Sequence, residues 1–242
     1  MLLPLLLLGE DAIRADRPGF LNSPTLVPPG RWQIESGVGL AQQRGGSDAT
    51  GTPLALRYGL REDLELRAST SGWNHVDAHG APDAHGWGDL TLGVKRPLDP
   101  HWADLDLSSA EALSWTAELR LPSGSRDIGS NRLAASLSAV GAWALGERGE
   151  FGATAGLAWD PEADSLVGSL AASAGIEAWQ AGSVYAELGW FPLLQSGEDP
   201  LFVGCGLTQL ASADVQLDLF FDTGLGASAG DWFAGLGISW RW

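Results

Sequence analysis

Three histidines, His75, His79 and His85, fall in one short stretch with Asp77 and Asp83. Imidazole and carboxylate together are a donor set for Zn2+ or Cu2+. The stretch is rich in Gly and Ala and sets no pair at a fixed helical spacing, so it reads as a solvated loop. No metal and no cofactor is assigned. A Ser–His–acid hydrolase needs a base oriented by a third group. These histidines lie in loops, so no catalytic residue is assigned and the chain is not read as an enzyme. Cys205 is the one cysteine, which excludes a disulfide framework and a thiolate metal cluster.

A second set of polar residues is better ordered. Arg57, Glu65, Arg67, Asp89, Lys95, Glu118 and Arg120 recur on alternate positions of consecutive segments, and Glu35, Glu187 and Asp218 hold equivalent positions elsewhere. With Glu177, Arg61 and Arg241 added, the acids and bases on this face nearly cancel. Opposite charges on neighbouring strands pair across a ladder. Such a row either forms a polar constriction that orients a small anionic or aromatic solute, or fills and stiffens a narrow interior. The sequence leaves both open.

The elements that position this set are strands. Twelve segments alternate apolar and polar residues between turn formers: 31–42, 52–60, 63–72, 86–98, 110–121, 132–145, 150–159, 165–179, 183–194, 201–210, 214–223 and 232–242. The last shows the pattern best. Trp232, Ala234, Leu236, Ile238, Trp240 and Trp242 make one face; Phe233, Gly235, Gly237, Ser239 and Arg241 make the other. The apolar faces carry essentially no charge at the strand centres. Lys or Arg on a lipid-facing position costs about 2–4 kcal/mol at the bilayer midplane. Trp, at 12 residues, gathers near segment ends, where aromatic girdles sit at the membrane interface. The expected fold is all-β, a transmembrane antiparallel up-and-down barrel of about twelve strands, with the charged residues named above lining its lumen.

Loop lengths agree with that topology. With both termini periplasmic, the inner turns fall near Glu62, Glu147, Ala181 and Ser212 and are tight; 97–109 is the exception. The outer loops 43–51, 73–85, 122–131, 160–164, 195–200 and 224–231 are mostly longer. Residues 1–15, with the apolar run MLLPLLLL, are expected to be a truncated signal peptide lacking its positive end. Residues 16–30 carry four prolines and are expected to be an irregular periplasmic arm that either plugs the lumen or merely leads into the first strand. The net charge of −16 argues against a nucleic-acid partner.

DRPGFLNSPTLVPPGRWQIESG, TPLALRYGLREDLELR, GWGDLTLGVKRPL, AELRLPSG and DWFAGLGISWRW resemble the family called "putative MetA-pathway of phenol degradation", from Asp16 almost to the end. The resemblance implies the outer membrane of a Gram-negative bacterium and passage of small molecules, with a label that points to aromatic compounds. The implied partners are membrane lipid and lipopolysaccharide, the assembly machinery of that membrane, and a small solute. The final strand also resembles those of bacterial outer-membrane barrels, in which a terminal aromatic, here Trp242, serves as an assembly signal. The other reading is a non-conducting barrel for structure or surface interaction.

Overall fold

The computed structural model describes residues 12–43, 47–78, 80, 82–101, 107–130, 132–162, 164–195, 197–226 and 229–242. Its strands are β1 Trp32–Gln43, β2 Ser47–Gly51, β3 Leu54–Arg61, β4 Leu64–Thr70, β5 Trp73–Ala78, β6 Ala84–Trp87, β7 Thr91–Pro97, β8 Ala112–Arg120, β9 Ala134–Leu145, β10 Gly149–Asp160, β11 Ser165–Trp179, β12 Gly182–Trp190, β13 Leu201–Ser212, β14 Val215–Leu225 and β15 Trp232–Arg241. No helix occurs among the described residues. The sheet runs from β15 down to β7 and then through β4 and β3 to β1, and β1 pairs back onto β15. The result is a closed antiparallel barrel of twelve staves. Closure leaves no unpaired edge around the wall, which a span through lipid requires.

The three remaining strands correct the loop assignment. β2, β5 and β6 continue β3, β4 and β7 beyond the outer rim, where β2 pairs with both β1 and β5, and β5 pairs with β6. Residues 43–51 and 73–85 were expected to be loops. Above the membrane both faces of these strands meet water, so no apolar alternation marks them. The expected segment 86–98 is likewise interrupted, because residues 88–90 separate β6 from β7.

Alternation places the side chains as the pattern requires. Leu137, Leu157, Leu236 and Ile238 project outward and are exposed, whereas Glu35, Arg57, Glu65 and Lys95 point inward and are buried. In a water-soluble fold this distribution would be inverted. Trp32 lies on Tyr58 with ring centroids 4.4 Å apart, and Trp240 on Trp242 at 4.9 Å, at the inner rim. Trp159, Trp190 and Trp232 sit toward the outer ends of their strands, and Trp73 and Trp87 at the ends of β5 and β6 that adjoin the outer rim. Cys205 is on the outward face. The long inner connection after β7 keeps its length; Leu107 N–H donates to Pro100 O at 2.9 Å, and residues 102–106 lie outside the described residues.

Candidate functional site: the lumen and its internal arm

Residues 12–30 do not stay at the barrel mouth; they fold into the lumen. The arm enters at the inner rim, where Ile13 N–H donates to Ala213 O at 2.7 Å and Ala12 and Ile13 pack on Leu210. It rises along the wall, turns at Phe20, and descends through Ser23–Val27 to reach β1. A segment with Pro18, Pro24, Pro28 and Pro29 cannot build a ladder. Its remaining polar groups still need partners once buried, and side chains of the wall supply them. Asp16 and Arg17 N–H donate to the Glu35 carboxylate at 3.0–3.1 Å, Phe20 N–H to Glu187 at 2.7 Å, and Val27 N–H to Glu65 at 2.8 Å. Lys95 Nζ donates to Ser23 O and Thr25 O, and Arg57 to Arg14 O and Thr25 O. The return leg passes so close to β3 that a Cβ at Gly59 would lie 2.2 Å from Pro28 O and 2.3 Å from Val27 O.

One arm residue completes the charge pattern. Asp16 meets Arg67 at 2.6 Å, Arg57 at 3.2 Å and Lys95 at 3.5 Å. Arg57 also pairs with Glu35 and Glu65, both at 2.9 Å, and Arg67 with Glu65 at 3.0 Å and Glu118 at 3.4 Å. Burial alone would raise the Asp16 carboxyl, but Arg57, Arg67 and Lys95 together hold it well below the usual carboxylate range. These charges on β1, β3, β4, β7 and β8 therefore tie the arm to one side of the barrel. Asp16 ties the network together but lies on no strand, so alternation gives no sign of it.

The other sequence-derived positions divide by location. Glu187 and Asp218 hold the arm from the opposite wall, Asp218 through Arg17 at 3.0 Å. Arg120 borders a separate cleft with Thr91, Glu118 and Asp160 toward the outer mouth. Asp89 stands in the break before β7, on no strand. It accepts Ser123, Gly124 and Ser130 N–H and the Ser130 hydroxyl at 2.7–3.1 Å. Burial pushes its carboxyl up, and these donors pull it further down, so it ends below its ordinary value. Arg61 was expected to face inward. An irregularity between Gly59 and Arg61 carries it to the rim, exposed and 3.2 Å from Asp63. Arg241 pairs with Asp214 at 2.8 Å at the inner rim. Trp242 exchanges main-chain hydrogen bonds with Trp32 at 3.0 and 3.1 Å.

His75 faces His85 across β5 and β6 outside the membrane, both exposed, and His79 lies outside the described residues. Among the described residues no group of three or more His, Cys, Asp or Glu is placed to hold a metal. A Gly-x-Ser-x-Gly string, Gly226–Gly230, falls in the β14–β15 connection, and its Ser228 lies outside the described residues.

The far side of the lumen is different in kind. Gly, Ala, Ser and Thr line β9 to β13, and between them and the arm lies a cavity of ≈ 180 Å³. It is bordered by Arg148, Glu150 and Glu177 toward the inner rim and reaches Leu21, Tyr185 and Glu187. Beside it the arm's Phe20 enters a group of lumenal rings, with centroids 5.6 Å from Phe191, 5.9 Å from Phe233 and 6.0 Å from Phe202. Phe220 adjoins Phe233 at 5.8 Å. Alternation puts Phe220 and Phe233 on the inward faces of β14 and β15, but nothing in it joins rings that lie on five separate elements.

A closed twelve-stave barrel with an uncharged outer belt, aromatic rims and a charged interior is an outer-membrane β-barrel, and its place is the bacterial outer membrane. The chain belongs to the family described as "Putative MetA-pathway of phenol degradation", whose model matches residues 15–242. Among solved structures it is similar to an outer-membrane channel, COG4313, from Pseudomonas putida F1, at 18% identity and a TM-score of 0.67, covering 93% of this chain and 99% of that one. It is also similar to the NanC porin, at 10% identity and TM-score 0.58 over 86% and 98% of the two chains. For the KdgM porin, solved with oligogalacturonate, the values are 8%, 0.54, 86% and 98%. At these identities the likeness is one of fold. No curated protein matches the chain.

Proposed function

We propose that the barrel is a channel for small molecules, including aromatic compounds, and that solute passes between the arm and the β9–β13 wall. The observation that carries this reading is the division of the lumen. The ion network draws the arm to the β1–β8 side, and the small side chains opposite leave the ≈ 180 Å³ cavity beside it. A solute there meets water, main chain and a few charges on one side and phenylalanine rings at the top. Such a lining suits a molecule with an apolar ring better than a sugar. The family label and the porin-like relatives are in keeping with it.

The same network is what favours the second reading, a non-conducting barrel, since a lumen knitted shut by ion pairs would pass nothing. Planar-bilayer conductance and solute flux into liposomes separate the two. The wild-type barrel should conduct, and Arg57→Ala and Glu118→Ala should change the conductance by loosening the arm's side of the lumen. A correctly folded barrel, with or without these substitutions, that passes neither ions nor solute would overturn the channel reading in favour of the structural one.

A further inference from the structure

Glu187 on β12 and Asp222 on β14 lie opposite the same residue of the strand between them, Gly204. With no side chain there, the two carboxylates lean together over the gap. A Cβ at Gly204 would fall 1.6 Å from Asp222 Oδ1 and 3.3 Å from Glu187 Cγ. Asp222 is wholly buried, and apart from the contact between its carboxyl group and that of Glu187 neither of its oxygens has a hydrogen-bond partner; Glu187 Oε1 has none outside the pair either. Among the described residues no ion pair reaches Glu187 or Asp222, and outside the pair the donor to Glu187 is Phe20 N–H. Buried charge in a protein is paired, neutralised or bound to a cation.

The surroundings of the pair say which kind of cation. Asp222 is cross-strand partner to Phe233, and Phe220 is two residues along the same strand and face. With Phe202 and Phe191 these make a nest of rings around an acidic floor. Cations are drawn to ring faces, and aromatic cages of this kind hold organic ammonium groups. The wall already does this once. Arg17 pairs with Asp218 and sits over the Phe220 ring, 5.9 Å from its centroid. Three residues on, Phe20 presents an N–H to Glu187 and its own ring to the other phenylalanines. The arm thus lays a cation, a hydrogen-bond donor and an aromatic ring on one patch of lumen.

We infer that the phenylalanine nest with Glu187 and Asp222 is a binding site for a small organic cation carrying an aromatic ring, and that Phe20 fills it as an internal stand-in. The ligand reaches it from the cavity beside the arm, which borders Tyr185 and Glu187, and displaces the arm's tip. Its role as a step in passage rests on the channel reading; occupancy of the site does not.

Benzyltrimethylammonium is a suitable probe because its permanent charge keeps it from crossing lipid unaided. Calorimetric titration of the full-length barrel in detergent should show it binding at least tenfold more tightly than benzenesulfonate, which has the ring and the opposite charge. The same margin should hold over tetramethylammonium, which has the charge and no ring. The double substitution Asp222→Asn with Glu187→Gln should reduce its affinity at least tenfold in a barrel that stays folded, and Phe20→Ala should increase it by vacating the site. Equal affinity for the cation and the anion, or no change on removing both carboxylates, would mean that the pair merely shares a proton, and would overturn the inference. Conductance measured in parallel keeps the two claims apart. Tight cation binding by a barrel that conducts nothing supports the site and sinks the channel, whereas conductance without selective binding does the reverse.

Discussion

Replacing Asp16 with Asn removes the charge that faces Arg57, Arg67 and Lys95 at 3.2, 2.6 and 3.5 Å. Breaking a buried ion pair from one side costs about 3–5 kcal/mol, because the partner stays buried without its counter-charge. Barrel closure does not depend on the arm, since every stave is held by its own ladder. The cost therefore falls on arm docking, and the docked-to-undocked ratio should fall by a factor of about 10² to several times 10³. Docking can be read with Asn22→Cys, a position beside the cavity, in a Cys205→Ser background that removes the exposed native thiol. In reconstituted barrels, Asp16→Asn should speed labelling of Cys at position 22 by an impermeant maleimide and raise single-channel conductance. Asp16 is held below the usual carboxylate range. Its contribution is thus present above the unfolded value of about 3.9 and is lost as the pH falls through the native one; the Asn variant should lose that acid dependence. Labelling and conductance that match the wild type in a folded barrel would refute the idea that this cluster anchors the arm.

Three further outcomes can be checked independently. Gly59→Ala should expel the return leg 27–30, since the new methyl meets two main-chain oxygens that cannot swing aside; proteolytic cleavage within the arm, with the barrel intact, is the readout. Asp89 sits below its ordinary value because of the 123–130 amides. Order in that loop should therefore survive at about pH 4 and fail only on stronger acidification, whereas Asp89→Asn loosens it at every pH, as hydrogen exchange of Ser123, Gly124 and Ser130 would show. Leu236→Arg, on the outward face of β15, should destabilise the barrel by about 2–4 kcal/mol in a bilayer, measured by denaturant unfolding in liposomes. An effect near zero there would contradict the lipid-facing assignment.

Most of the wall was legible in the chain. Side chains alternate with a period of two on any strand, and lipid outside with polar matter inside leaves opposite marks on the two faces. The twelve staves, the aromatic rims and the inward set Glu35, Arg57, Glu65, Arg67, Lys95 and Glu118 all follow from that local rule. Where the rule has no contrast to read, it is silent. Strands β2, β5 and β6 have water on both sides and looked like loops, and Asp89 looked like a strand residue although it belongs to a loop.

Partnership between distant segments was beyond the sequence. Whether the proline-rich arm plugged the barrel or only led into β1 turned on contacts between Asp16 and residues 41 to 79 positions away. The meeting of Glu187 with Asp222 depends on a glycine in the strand between them, and the phenylalanine nest draws on the arm and four other elements. Alternation along one strand records which side of the wall a residue faces. What it faces across the lumen is set by register around the closed sheet and by where the arm comes to rest, and those exist only once the barrel has closed.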